Sequence, residues 1–144
     1  MSIFQTISTE LKYIKFSLQL LKRVGKVDNN PMETVADLIE DQAKKNENKT
    51  AIEFEDKKYT YKELDEEANK VAHWAISKGF KKGDVVSLLM ENRPEFIFIW
   101  YGFAKIGGTV ACLNSNIKSK SLAHCIQTSK SKSIIVGSEL IDNY

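Results

Sequence analysis

Asn92 and Arg93 stand at the junction between one apolar run, Val85 to Met90, and a second that begins at Pro94. If the first run is a strand and the second a helix, the junction lies at the carboxyl end of a strand, the side of an open sheet where ligands gather. The pair is therefore a candidate for substrate contact, but capping the helix that follows explains Asn92 without any ligand. Gly107-Gly108 invites a phosphate-binding reading. It ends a helix and enters a strand, however, the reverse of the order that aims N–H groups at an anion, so it reads as a turn. No G-x-G-x-x-G is present. His73 falls off the apolar stripe of its helix and His124 is flanked by Ala123 and Cys125, and both read as surface or packed histidines. No Ser or Cys has a visible base partner, which leaves nucleophilic catalysis unsupported. Cys112 and Cys125 form neither a C-x-x-C pair nor a cluster with zinc-ligand spacing, so no metal site is readable. No residue is assigned a catalytic, cofactor-binding or metal-binding role on these patterns.

The elements that would position these residues follow from periodicity. Ile3, Ile7, Leu11, Ile14, Leu18 and Leu21 recur every three or four residues with Phe4 beside them, which predicts an amphipathic helix from Ile3 to Val24. Gly25 and the Asp28-Asn29-Asn30-Pro31 run are expected to end it, because Pro31 disfavours helical geometry at Asn30. A second helix is expected over Thr34 to Lys45, with Val35, Leu38, Ile39, Gln42 and Ala43 facing inward. Ala51 to Phe54 and Tyr59 to Tyr61 predict a hairpin around the polar turn Glu55 to Lys58. Leu64, Ala68, Val71, Ala72 and Ala75 mark a third helix from Tyr61 to Lys78, with Gly79 where a left-handed cap is wanted.

Val85 to Met90 is too continuous in its apolar residues for a half-exposed strand and belongs in the middle of a sheet. Pro94 starts a helix, Glu95 to Ile106, that is apolar nearly all round and needs cover on both sides. A buried strand at Thr109 to Leu113, a helix at Lys118 to Thr128 and a strand at Ser133 to Val136 complete a β-α-β-α-β order. Connections of that length imply parallel pairing. The fold class is α/β: an open, mainly parallel sheet preceded by a short hairpin and an amino-terminal amphipathic helix.

With 144 residues there is material for one compact core. A net charge of +2 is too small to imply a nucleic-acid partner, but the charge is uneven. Lys12, Lys15, Lys22, Arg23 and Lys26 face only Glu10 in residues 1–27, whereas residues 33–67 are strongly acidic. Two unpaired cysteines fit a reduced, cytosol-facing protein, and Asn48-Lys49-Thr50 reads as a chance glycosylation tripeptide. The longest dense apolar stretch, Phe96 to Ala104, is about half of what a membrane-spanning helix needs. The spread of basic residues in the first segment also argues against a cleavable signal.

Four stretches in order resemble the start of the adenylate-forming enzymes. They are Ala51-Ile52-Glu53-Phe54 with Tyr59 to Leu64, Ala68 to Ala72, Gly83-Asp84-Val85-Val86, and Gly102 to Gly108. Met90 to Phe96 and Leu113-Asn114-Ser115-Asn116 look most like the branch containing the fatty acid transport proteins and very-long-chain acyl-CoA synthetases. The resemblance runs from about residue 34 to the carboxyl end and implies an incomplete part of a larger AMP-binding domain. For the full-length family it implies a two-step ligase that joins a fatty acid to AMP with ATP and magnesium, then passes the acyl group to coenzyme A. The family's Ser/Thr/Gly-rich phosphate loop ending in Pro-Lys, and its later catalytic lysine, have no counterpart in these 144 residues. The chain is therefore expected to be inactive alone, as a fragment or truncated relative.

The resemblance also implies a membrane anchor before the conserved domain, on the cytosolic face of a membrane. Three segments follow: an amphipathic membrane-associating helix over 1–27, a linker over 28–33, and the partial synthetase domain over 34–144. Ile3, Phe4, Ile7, Leu11, Ile14, Leu18 and Leu21 are the candidate membrane contacts, with Lys12, Lys15, Lys22 and Arg23 facing anionic lipid. The same stripe is equally suited to packing on the parent enzyme. Two functions stay open: a part of a fatty acyl-CoA synthetase, whose remainder or a partner covers Phe96 to Ile106, or a non-enzymatic module that binds lipid or another protein.

Overall fold

The computed structural model describes the backbone of residues 3–29 and 33–143, and the side chains of residues 10–25 and 33–141. Two compact units are present, Met1–Thr34 and Val35–Tyr144. The first contains one helix, α1 (Ile3–Asn29). It runs through Gly25 and past Val24, where the sequence had placed its end, so residues 28 and 29 of the expected linker are helical. A helical glycine costs only about 1 kcal/mol, which lowers stability without forcing a stop. The side chains of Ile3, Phe4 and Ile7 lie outside the described residues.

The second unit continues with α2 (Val35–Lys45), the strands β1 (Thr50–Phe54) and β2 (Lys57–Thr60), α3 (Tyr61–Ser77), β3 (Val85–Leu89) and α4 (Pro94–Lys105). It ends with β4 (Thr109–Leu113), α5 (Ser119–Ser129), β5 (Ser133–Val136) and a 3-10 turn (Ser138–Asn143). β1 and β2 pair antiparallel, with Phe54 opposite Lys57. The turn is thus only Glu55-Asp56, shorter than expected, and Glu55 takes a left-handed φ of 52° that few non-glycine residues adopt. β3 lies between β4 and β5 and is parallel to both, which gives the β-α-β-α-β order expected from the sequence.

Alternation along β3 sorts the layers. Val86 is buried with Ala75, Phe80 and Phe103 from the α3–α4 side. Leu89 packs with Leu122 of α5 and Leu140 on the other face. Ser87, fully buried beside the end of α5, bonds the hydroxyls of Ser129 at 3.1 Å and Ser131 at 2.8 Å, so its polar group is satisfied where water is absent. β4 differs from the buried strand the sequence suggested: Thr109 and Cys112 are exposed, because among the described residues no strand pairs with its outer edge.

α3 and α4 form the second layer, and local chemistry sets both ends of α3. Thr60 caps its start by accepting from the Glu63 N–H at 3.2 Å, while the Glu63 carboxylate accepts from the Thr60 N–H at 2.7 Å. The Thr-x-x-Glu spacing carries this box, although the sequence reading placed Thr60 only in the hairpin strand. α3 ends with Gly79 N–H on the Ile76 carbonyl and Phe80 N–H on Ala75. α4 ends the same way, Gly107 N–H reaching Ala104 and Gly108 N–H reaching Phe103. Gly79 and Gly107 adopt φ of 80° and 70°, the left-handed geometry this terminator requires.

The two helices touch at Gly102. A Cβ there would come within 2.6 Å of Val71 Cβ and 2.8 Å of the Ala68 carbonyl oxygen. Ala68 and Ala75, with no exposed surface, keep the facing side of α3 small. One turn after Gly102, Lys105 inserts between helices, its ammonium 2.5 Å from Glu40 of α2 and 2.8 Å from Asp65 of α3. Its side chain is only 8% exposed. Burial alone disfavours the charged form, but the two carboxylates outweigh it and raise the lysine above its ordinary value. That anchor also corrects the inward face of α2. Ala36 is buried and Ile39 and Ala43 half-buried, whereas Val35 and Leu38 are 47% and 50% exposed, since α2 is rotated to present Glu40 to Lys105.

Replacing Gly102 by alanine sets two effects against each other. Alanine favours a helix by about 1 kcal/mol, whereas overpacking costs roughly 1–3 kcal/mol. The Ala68 carbonyl is backbone and cannot rotate away, so Gly102→Ala is expected to lower the urea midpoint and Gly102→Val to lower it further. A raised midpoint for Gly102→Ala would show that the helices are not in close contact.

Candidate functional site

The carboxyl end of β3 is the place where chemistry-bearing side chains converge. The chain leaves the sheet through buried Met90 and exposed Glu91 and Asn92, and Pro94 starts α4 at a position where its missing N–H costs nothing. Arg93, not Asn92, is the cap position, with extended φ and ψ and no side-chain cap. Its guanidinium turns outward instead. Nε donates to Glu95 at 3.0 Å and Nη1 donates to Glu139 at 2.9 Å. The Glu139 carboxylate also accepts the Glu91 N–H at 3.0 Å, so the turn after β5 is clamped to the loop after β3.

Gly137 makes room for this clamp. Its N–H donates to the Leu89 carbonyl at 2.8 Å, and an added Cβ would fall 2.1 Å from the Glu139 carboxylate. The Glu91 N–H, the Glu139 N–H and Arg93 together hold the Glu139 carboxyl below the usual range. Glu95 is lowered by its own N–H and then by Arg93. Beside the clamp lies an open cleft of about 290 Å³, bordered by Lys57 and Tyr59 from the hairpin. A more apolar hollow of about 260 Å³ lies next to it, bordered by Ile52, Phe54, Phe96 and Ile97.

These residues do not fit a phosphate group. Arg93 is already engaged by two carboxylates, Glu91 and Glu55 outweigh Lys57 at the cleft, and the Gly107 and Gly108 N–H groups are spent on Ala104 and Phe103. The arrangement can hold two loops in register. No cysteine or serine borders this cleft among the described residues. His73 and His124 are exposed and far from convergence in the fold, on α3 and α5.

The residues singled out as membrane contacts lie together only on α1. Leu11, Ile14, Leu18 and Leu21 are 61%, 55%, 55% and 66% exposed, and Lys12, Lys15, Lys22 and Arg23 are exposed as well. No helix among the described residues is long and apolar enough to cross a membrane. Sequence reasoning found Arg93 and missed Gly137 and Glu139. Nothing local marks Glu139, since its partners lie more than forty positions away along the chain.

Comparison with known proteins supplies the remaining information. The AMP-binding enzyme family matches residues 39–143. Long-chain fatty acid transport protein 6 of Mus musculus is 37% identical over 132 residues, covering 91% of this chain and 21% of that protein. Long-chain fatty acid transport protein 2 of Rattus norvegicus is 35% identical over 90% of this chain and 22% of that protein. The chain thus spans about a fifth of the length of these curated relatives. Among solved structures, the inhibitor-bound N-terminal domain of FACL13 from Mycobacterium tuberculosis superposes with a TM-score of 0.71 and 26% identity. That match covers 77% of this chain and 28% of the domain.

The clamp has a pH signature. Glu139 has a lower pKa folded than unfolded, so its contribution to stability is complete above the unfolded value of about 4.3 and is lost as pH falls through the lower folded value. Glu139→Gln is expected to lower the urea midpoint at neutral pH, and the gap from the parent chain should close as the pH is taken below about 4. A gap that stays constant with pH would mean that the carboxylate is not engaged as described.

Proposed function

The chain belongs to the AMP-binding enzyme family, and we propose that it is the amino-terminal part of a long-chain or very-long-chain fatty acyl-CoA synthetase of the fatty acid transport type. One observation carries this reading: similarity over nine-tenths of the chain to a long-chain fatty acid transport protein of which it spans a fifth. The whole enzyme, in this reading, activates a fatty acid with ATP and magnesium and transfers it to coenzyme A. The unit described here serves as scaffold, and no step of the nucleotide chemistry is assigned to its residues.

Two surfaces support an incomplete body. Trp100 on α4 is 41% exposed, and Lys70, Val71, Trp74, Ile99 and Ile135 border an open apolar groove of about 330 Å³. Buried parallel sheets carry cover on both faces, and the remainder of the synthetase is the cover proposed for this one. α1 is the second feature. Its exposed apolar stripe suits attachment to the cytosolic surface of a membrane, which would bring the enzyme to its lipid substrate.

That same stripe favours a second reading, a non-enzymatic module that binds lipid or a protein partner. Intact transcripts distinguish the two. A reading frame that continues past Tyr144 into a Ser/Thr/Gly-rich loop ending in Pro-Lys supports the synthetase, and a stop codon directly after Tyr144 favours the module. The 144-residue chain itself is expected to show no fatty-acid-dependent ATP–pyrophosphate exchange and no acyl-CoA formation above background. Turnover by this chain would overturn the assignment of a scaffold role.

A further inference from the structure

A helix that packs on a single protein surface needs an apolar stripe little more than about 100° wide, and α1 carries far more. With 3.6 residues per turn, Leu11, Ile14, Leu18 and Leu21 fill one sector, while Tyr13, Phe16, Leu20 and Val24 fill another beside it, together roughly 220° of the circumference. All eight are exposed, from 50% for Leu20 and Val24 to 66% for Leu21. The cations are gathered as tightly as the apolar groups are spread. Lys12, Lys15, Lys22 and Arg23 fall within about 100°, centred opposite the middle of the apolar arc. Glu10 is the single acid among the α1 residues whose side chains are described.

We propose that α1 is a monotopic anchor whose whole apolar arc, including the Tyr13, Phe16, Leu20 and Val24 side, sinks into the surface of an anionic bilayer with its cations turned toward the lipid phosphates. The proposal rests on the membrane-attachment reading above and adds the second sector as part of the inserted surface. A second copy of the helix is a poorer occupant, because a two-helix seam takes a narrow stripe and would leave Phe16 and Leu20 in water. A lipid interface has no such limit on width. Ser17 and Glu10 lie near the midline of the arc, and because an acid is costly in hydrocarbon, Glu10 limits how deep its end of the helix sinks. Tyr13, 64% exposed, is a ring type that settles at that level.

The two halves of the arc and the cationic sector are separable by experiment on the full 144-residue chain. Partitioning is measured by co-sedimentation with vesicles of phosphatidylcholine alone and of phosphatidylcholine mixed with phosphatidylserine. The parent chain should bind the mixed vesicles much more tightly than the neutral ones, each cation removed should weaken binding about fivefold, and Phe16→Gln with Leu20→Gln should weaken it more than tenfold. A gentler probe avoids any loss of helix: a polarity-sensitive fluorophore on Leu20→Cys, Leu11→Cys or Gln19→Cys, in a Cys112→Ser, Cys125→Ser background. Blue shifts on mixed vesicles are expected at 20 and 11 and not at 19, which lies in the cationic sector.

Mixed-vesicle binding that is unchanged by the Phe16 and Leu20 substitutions, with no shift at position 20, would sink the wide arc and leave surface attachment standing. Equal binding to neutral vesicles would sink the choice of anionic lipid. No binding to either vesicle removes the attachment reading and this proposal together. Sedimentation equilibrium showing oligomers that dissolve in the Phe16→Gln, Leu20→Gln variant, without vesicle binding, would assign the arc to a second copy of the chain.

Discussion

Between Gly102 of α4 and the Ala68–Val71 turn of α3 there is no room for a single methyl group, and the rest of the second unit is arranged around that contact. The glycine lets the two backbones approach; the alanines of α3 keep the facing surface low. Phe103, the next residue, is thereby pressed between Phe80, met edge-on with ring centroids 5.0 Å apart, and Val86 of the central strand. Lys105 follows and ties α2 to the pair. A larger residue at 102 would lift α4 from α3 and loosen the sheet cover and the lysine anchor at once, because close-packed interiors transmit such displacements.

The central strand shows what the packing achieves and where it stops. β3 is covered on one face by α3 and α4 and on the other by α5 and the final turn, and its one interior hydroxyl is satisfied by two serines from the end of α5 and the loop after it. Its neighbours are less complete. β4 has exposed positions along its outer edge, and Ile134 of β5 remains 39% exposed. Both edges are open among the described residues, as expected of a unit that spans about a fifth of its curated relatives. Parallel sheets are most stable when both faces are covered, and the apolar surface here is open among the described residues.

Charge is handled in opposite ways in the two units. At the end of β3, Arg93 and Glu139 satisfy one another and the Glu91 N–H, which leaves a clamp with little left to offer a ligand. On α1, four exposed cations are set against one acid among the described side chains. A closed network holds structure, whereas uncompensated charge beside exposed apolar groups favours a partner of opposite sign. The exposed apolar groups therefore lie on α1 and along the sheet flank, away from the sheet end where the junction residues first drew attention.

Periodicity in the sequence was sufficient for the third helix, the central strand and the β-α-β-α-β order, because each depends on residues near one another in the chain. Glycine at 79 and 107 marked the helix ends for the same local reason, and Thr60 with Glu63 carried a capping signal that spacing alone discloses. Family words between Ala51 and Asn116 supplied the kinship that no periodicity contains. What the sequence left undecided needed contacts between distant residues. The rotation of α2 depended on Lys105 reaching Glu40 across sixty-five positions, the exposure of β4 on which strands flank β3, and the partner of Arg93 on a turn near the carboxyl end. Local pattern determines what a segment can become, but which face it buries and which charge it meets are settled only when remote segments compete for the same space.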